Sequence, residues 1–318
     1  MQNDPSNRPS VSLAHAGACG TWPQGAAFVG GRYVPMEEAS VPIGDWGFLH
    51  SDATYDVAHV WEGAFFRLED HLDRFHAGMN ALHMSLPYTR DEMRAVLVEC
   101  VRLCGLRNAY VEMICTRGMP APGSRDPRSA VNRFYAFAVP FIWLADPEKQ
   151  KVGLHMAVGR TVRIPTTSVD PRIKNYHWLD LVKGLYEAYD QGAETTVLTD
   201  GEGHVVEGPG FNLFVLRGGT LLTPRSGVLE GITRRTVLEI AAALGIPAEV
   251  RPVRTEELRD ADEVFATSTA GGVVPVCRLE GRPVGAGVPG PATRRIHEQY
   301  WRWHDLPLHR TAVDYGER

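Results

Sequence analysis

Long apolar runs are missing from this chain of 318 residues. The longest nearly apolar stretch, Phe134–Ala145, is too short to span a bilayer, and Pro140 interrupts it. No membrane-spanning helix is expected. The opening residues Met1–Ser12 are polar and lack the apolar core of a secretory signal, so a cytoplasmic location is the default expectation. An excess of one charge is missing too: 33 Lys and Arg stand against 38 Asp and Glu, for a net charge of −5. That balance leaves no basic footprint for nucleic acid. Cysteine is scarce, with five residues, an odd number, and no CxxC spacing. Cys100 and Cys104 fall i, i+4 on an apolar helix face, which reads as buried thiols instead of a disulfide or a metal site. The 12 histidines show no metal-ligand spacing, and no metal is expected. GxSxG, HExxH and P-loop patterns are absent, as are repeats and low-complexity tracts.

What is present is patterned. Hydrophobic content is 44%, ordinary for a globular protein of one large or two medium domains. Residues 1–24 read as an unpatterned N-terminal arm. A hairpin follows around Gly30-Gly31. Ala53–Trp61 alternates as a strand, with Tyr55, Val57, His59 and Trp61 on one face. Leu72, Phe75, Met79 and Leu82 predict a helix from about Glu69 to His83. Thr89-Arg90-Asp91-Glu92 has the form of a capping box and opens a second helix. Two strands flank Arg117–Asn132, a long loop rich in Gly, Pro, Ser and Arg. Residues 144–151 read as a linker. Strands and helices then alternate, with helices after Lys174, over Gly231–Leu244 and over Ala292–Trp303. The expected organisation is a small N-terminal α/β domain over 25–143 and a larger C-terminal domain over 152–318.

The chemistry is concentrated around Ser168–Leu181. Ser168, Asp170 and Pro171 supply turn chemistry just ahead of Lys174, and Trp178, Leu181, Val182 and Leu185 repeat at helical spacing. Lys174 therefore sits at a loop-to-helix junction beside Ile173, Tyr176 and Trp178. A lysine among apolar neighbours is partly desolvated, which favours the free amine that Schiff-base chemistry needs. Taken alone, an ordinary surface lysine fits the same pattern.

With Glu207-Gly208-Pro209-Gly210-Phe211-Asn212 downstream, this segment resembles the class IV aminotransferases, pyridoxal phosphate (PLP) enzymes of fold type IV. The resemblance runs from about Gly25 to about Trp303. It is closer to the (R)-selective amine transaminases through Gly47-Phe48-Leu49-His50-Ser51-Asp52-Ala53-Thr54-Tyr55 and Asp170-Pro171-Arg172-Ile173-Lys174-Asn175. It implies a two-domain α+β or α/β fold whose C-terminal domain is a mixed, barrel-like sheet with helices. It implies Lys174 as the Schiff-base lysine and Glu207 as the partner of the pyridine nitrogen. Arg74, the backbone of Ile232 and Thr233, and Ser268 with Thr269 would hold the phosphate. Many relatives carry Thr at the position of Ser268. His50, Tyr55, Val57, Glu112, Trp178 and Ala270 would line the substrate pocket. Arg125 would match a mobile arginine that pairs with a substrate carboxylate and swings out for a neutral amine. The implied reaction is ping-pong transfer of an amino group from an (R)-amine, or a D-amino acid such as D-alanine, to a 2-keto acid such as pyruvate. Branched-chain or D-amino-acid transamination on the same fold is the first alternative. A lyase like aminodeoxychorismate lyase and a non-enzymatic PLP-binding protein are further ones. A homodimer with its site near the interface is implied by the family.

Overall fold

Leu68, Leu72, Phe75 and Met79 recur at helical spacing and are buried as one stripe. In the computed structural model, which describes residues 17–316, they form the inner face of a helix over Leu68–Ala81. The expected arm over residues 1–24 lies outside the described residues up to position 16. Thr89 and Glu92 form the capping box in both directions, and the helix they open, Arg90–Cys104, ends at Gly105 with φ 66°. The buried Cys100 and Cys104 are free thiols on it.

The described chain divides into two compact units. The first runs to Ile142 and also takes Ile173–Tyr176 and the segment from Pro307. The second holds Trp143–Arg172 and His177–Leu306. Those two insertions differ from the division expected at 152–318. The sheet of the first unit has seven strands among the described residues. They are β1 (Ala26–Val29), β2 (Arg32–Pro35), β3 (Ala53–Trp61), β4 (Ala64–Phe66), β5 (Ala109–Met119), β6 (Val131–Pro140) and a C-terminal strand, Arg310–Ala312. Their order is C-terminal strand, β4, β3, β5, β6, β1, β2. The helices are α1 (Trp46–His50), α2 (Leu68–Ala81) and α3 (Arg90–Cys104).

Residues Ala53–Val60 of β3 are buried on both faces, so the alternation does not divide a dry face from a wet one. α2 lies on the side of Thr54 and Asp56. The short helix α1 lies in the stretch between β2 and β3. Asp45 caps it by accepting the Gly47 N–H, and its buried carboxylate also accepts the hydroxyls of Thr116 at 2.9 Å and Tyr135 at 3.2 Å.

The second unit begins with a helix, α4 (Pro147–Val152), where a linker is expected. Asp146 caps it and Pro147 occupies its first turn, where the missing proline N–H costs nothing. Strands β7 (Leu154–Val162), β8 (Thr195–Thr199), β9 (His204–Val205), β10 (Glu207–Gly208), β11 (Phe211–Arg217), β12 (Thr220–Thr223), β13 (Ala248–Val250), β14 (Val253–Arg254), β15 (Glu263–Ser268), β16 (Gly272–Leu279) and β17 (Arg282–Pro283) form one mixed sheet. β7 runs parallel to both β8 and β16. Helices α5 (Leu179–Tyr189), α6 (Ile232–Ala243), α7 (Thr255–Arg259) and α8 (Pro291–Arg302) complete the unit. Its core includes Phe211, Leu213, Val215, Val264 and Ala266 from adjacent strands. No described helix is long and apolar enough to cross a membrane.

Candidate active site

Lys174 is laid against β3 by its own backbone. Its carbonyl accepts the Tyr55 N–H at 3.1 Å and the Thr54 hydroxyl at 2.9 Å. Gly78 of α2 makes room for that hydroxyl, because a Cβ there would stand 2.6 Å from Thr54 Oγ1. The Lys174 Nζ sits 4.4 Å from the Tyr55 ring centroid, a cation–π position. Tyr176 stacks on the Tyr55 ring, with centroids 4.2 Å apart. The Tyr176 hydroxyl donates to Glu112 Oε1 at 2.7 Å, and the Tyr110 hydroxyl to Glu112 Oε2 at 3.1 Å. Val57 lies opposite Glu112 in the β3–β5 ladder. Lys174, Tyr55, Val57 and Glu112 are thus brought together in the first unit. Burial pushes both tyrosines far above their ordinary range, so they remain hydroxyl donors. Burial also pushes the Glu112 carboxyl upward, against the opposing pull of Tyr176, Tyr110 and Lys174.

Arg74, on α2, turns its guanidinium toward β3. Its Nε and one terminal nitrogen grip Asp56 at 2.7 and 2.9 Å. The same carboxylate meets His71 Nδ1 at 2.8 Å. Burial raises the Asp56 carboxyl, but Arg74 and then His71 outweigh it and hold it well below the usual carboxylate range. His50 is exposed at the end of α1, its ring edge-on to Trp46. Arg125 is exposed and forms no ion pair among the described residues. Its neighbour Asp126 is engaged by the N–H and guanidinium of Arg128. The same Asp-Pro-Arg staple precedes Lys174, where Asp170 binds the N–H and guanidinium of Arg172.

In the second unit Glu207 is buried and held at both oxygens. Oε1 accepts from the Arg163 guanidinium at 3.3 and 3.2 Å, and Oε2 accepts the Leu229 N–H at 2.8 Å. Arg163 also donates to Asp180 at 2.7 Å, in the first turn of α5. Asn212, the ladder partner of Glu207, donates to the Leu229 carbonyl at 2.9 Å. The two side chains grip one residue, Leu229, and the chain from it leads into α6. That helix has no side-chain cap and no acidic residue in its first turn, so no side chain caps the N–H groups that follow Gly231. Ile232 and Thr233 begin it. The Ser268 hydroxyl donates to the Gly210 carbonyl at 2.9 Å and accepts the Ala270 N–H at 3.2 Å. Thr269 has no such partner among the described residues, and the Ala270 carbonyl accepts the Leu144 N–H. Trp178 packs on a small core of Leu181, Leu198, Val206 and Val228. Thr54, Tyr176 and Asn212 stand inside or beside the motifs legible in the sequence without a role assigned to them, and Arg163 is not singled out there at all.

Residues 53–279 match the model of the amino-transferase class IV family. The chain belongs to the class IV aminotransferases. A branched-chain-amino-acid aminotransferase of Pseudomonas aeruginosa is 31% identical over 75% of this chain and 78% of its own length. A D-alanine aminotransferase of Listeria monocytogenes is 29% identical over 86% and 93%. Among solved structures, the branched-chain amino acid aminotransferase from Thermobaculum terrenum in its PLP form superposes with a TM-score of 0.83 at 26% identity, covering 92% of this chain and 99% of that one. The fold is that of the fold type IV PLP enzymes, and the enzyme is a PLP-dependent aminotransferase.

The residues present fit that cofactor. Taken unit by unit, a lysine in the first, and a buried carboxylate and a helix start without a side-chain cap in the second, are the kinds of group that the cofactor's aldehyde, ring nitrogen and phosphate call for. Gly231 fits too, since a Cβ there would stand 2.2 Å from Asn212 Oδ1 and break the turn into α6. Gly285, Gly287 and Gly290 have the G-x-G-x-x-G spacing of a dinucleotide loop, but they precede α8, not a phosphate site. Glu263 already accepts the N–H groups of Ala292 and Thr293 there, and a carboxylate in that place repels an anion.

Proposed function

We propose that this aminotransferase moves an amino group from an (R)-amine, or a D-amino acid such as D-alanine, to a 2-keto acid such as pyruvate in a ping-pong cycle. It would do so as a homodimer in the cytoplasm. The observation that carries the reading is Arg125: an exposed loop arginine whose acidic neighbour is occupied by Arg128. One pocket must accept a carboxylate in one half-reaction and an uncharged substituent in the other. A permanently buried arginine without an anion would be costly, whereas one on a loop can approach for the keto acid and withdraw for the amine.

Bound PLP supplies an electron sink for the carbon that bears the amine. In this reading Lys174 holds the cofactor through Nζ. Freed by the incoming amine, the same nitrogen takes the proton from the substrate Cα. Glu207, fixed by Arg163 and Leu229, keeps a proton on the pyridine nitrogen. The start of α6, Thr269 and Arg74 serve the phosphate, and Ser268 joins them if its hydroxyl turns from Gly210. Tyr55, Val57, Glu112, Trp178, His50 and Ala270 wall the substrate. A second reading, transamination of branched-chain or D-amino acids, is favoured by the names of the relatives.

The test is to follow the cofactor spectrum after adding each enantiomer of 1-phenylethylamine. The (R)-form should discharge the cofactor and, with pyruvate, give acetophenone and D-alanine. Arg125→Ala should slow the pyruvate half-reaction much more than the amine half-reaction. Consumption of the (S)-form, or activity on L-leucine with 2-oxoglutarate and none on (R)-amines, would move the enzyme to the second reading.

A further inference from the structure

Tyr55, Val57 and His59 of β3 share a sheet face with Ile114, Glu112 and Tyr110, their partners on β5. Besides the His59 ring and the tyrosine hydroxyls, that face is apolar and carries one carboxylate, Glu112, which is only 8% exposed. Buried carboxylates are ordinarily answered by a cation or by several N–H donors. Asp56, Glu99 and Glu207, buried to a similar degree, each grip an arginine. Glu263 accepts the start of α8. Glu112 forms no ion pair among the described residues; its partners are the hydroxyls of Tyr176 and Tyr110. A carboxylate offers about four acceptor positions, so two hydroxyls leave about half of them unused. The cation whose charge Glu112 feels is Lys174, whose amine is engaged in the reaction itself.

We propose that Glu112 selects amine donors that carry a second, non-reacting cation on the larger substituent, such as diamine-type donors. The carboxylate would accept a charge-assisted hydrogen bond from that distal ammonium, while Tyr55 and Tyr176 cover the hydrocarbon between the two nitrogens. The inference rests on the reading of Tyr55, Val57 and Glu112 as a wall of the substrate pocket.

The test uses the PLP-loaded enzyme and a matched pair of donors. (R)-1-phenylethylamine is compared with its para-dimethylaminomethyl derivative, whose tertiary amine is protonated at neutral pH and cannot be transaminated. The cationic donor should have a kcat/KM about ten-fold higher or more. Glu112→Gln should bring that ratio close to one. Calorimetry provides a readout independent of turnover: N,N-dimethylbenzylamine should bind the wild type at least about ten-fold tighter than neutral benzyl methyl ether. A wild type that treats each pair alike overturns the proposal, whether or not the Gln variant folds. So does a ratio that survives in a folded Glu112→Gln enzyme. If no aryl amine of either hand is a donor, the (R)-amine reading fails, and the calorimetric comparison still decides the role of Glu112.

Discussion

Glu207 accepts a donor at each oxygen, Arg163 at one and the Leu229 N–H at the other. Replacing it with glutamine therefore does two things. It removes the negative charge that, in the proposed role, would keep the ring nitrogen protonated, and it turns an NH2 group toward one of two donors. Losing a transition-state interaction of about 2–4 kcal/mol should slow proton transfer roughly 30- to 1,000-fold. The misplaced NH2 should cost about 1 kcal/mol of stability besides. Single-turnover rates with a good amine donor, read beside thermal melts, separate the two effects. An unchanged rate would remove Glu207 from the role of ring partner. Lys174 admits a more direct check. Borohydride reduction of the holoenzyme should fix the phosphopyridoxyl group on Lys174, and peptide mapping should find it there. A label on another lysine, with Lys174 bare, would overturn the assignment, and Lys174→Ala should leave no turnover.

The packing of α2 on β3 centres on a buried Asp56 shared by Arg74 and His71. The carboxyl is held well below its ordinary value, so it contributes stability at every pH above the unfolded value of about 4. That contribution is lost as pH falls from there through the folded value. His71 acts in the same direction, because burial, partly offset by Asp56, lowers its affinity for a proton. Unfolded histidine begins to take up protons near pH 6.5 that folded His71 does not, so acid weakens this contact too. Asp56→Asn should cost on the order of 3–5 kcal/mol at pH 7, since it takes from Arg74 the buried anion it grips. Urea melts should show that gap steady above about pH 4 and shrinking below it. A gap constant down to about pH 3 would contradict the linkage. α2 itself, like α3, is legible in the sequence because its stripe and its neighbour's capping box are local patterns. The two-sided burial of β3 is not, because residues 173–176 cover Tyr55 from far along the chain. α1 is hidden for a similar reason: its cap Asp45 is fixed by Thr116 and Tyr135. The Asp146-Pro147 start of α4, by contrast, is a readable signal inside the expected linker. In the candidate site, residues that touch through turn or helix-start chemistry leave a motif. Thr54 and Arg163 act through other residues and carry no local pattern.

The path of the whole chain makes the first unit depend on its last residues. The strand Arg310–Ala312 pairs with β4, which would otherwise be a bare sheet edge. The Arg67 N–H donates to the His309 carbonyl at 2.7 Å, and the Val313 N–H to the Gly63 carbonyl at 3.0 Å. Val313 is buried in the core of the first unit. The Tyr315 hydroxyl donates to the Leu106 carbonyl at 2.7 Å, and Arg107 lies 4.3 Å over the Tyr315 ring. These contacts close only after the entire second unit has been synthesised, and pairings of such separation form slowly. Deleting the segment from Pro307 should therefore loosen the first unit while the core of the second persists. Burial of Val313 alone is worth about 1.5–3 kcal/mol. Hydrogen exchange should accelerate at Ala64–Phe66 and along β3 in the truncated enzyme, and stay slow along β11 and β15. A synthetic peptide of residues 307–316 should restore protection when added in excess, because the strand it replaces uses main-chain pairing and one apolar anchor. Uniform acceleration in both units, or none in either, would show that the returning strand does not act on the first unit alone.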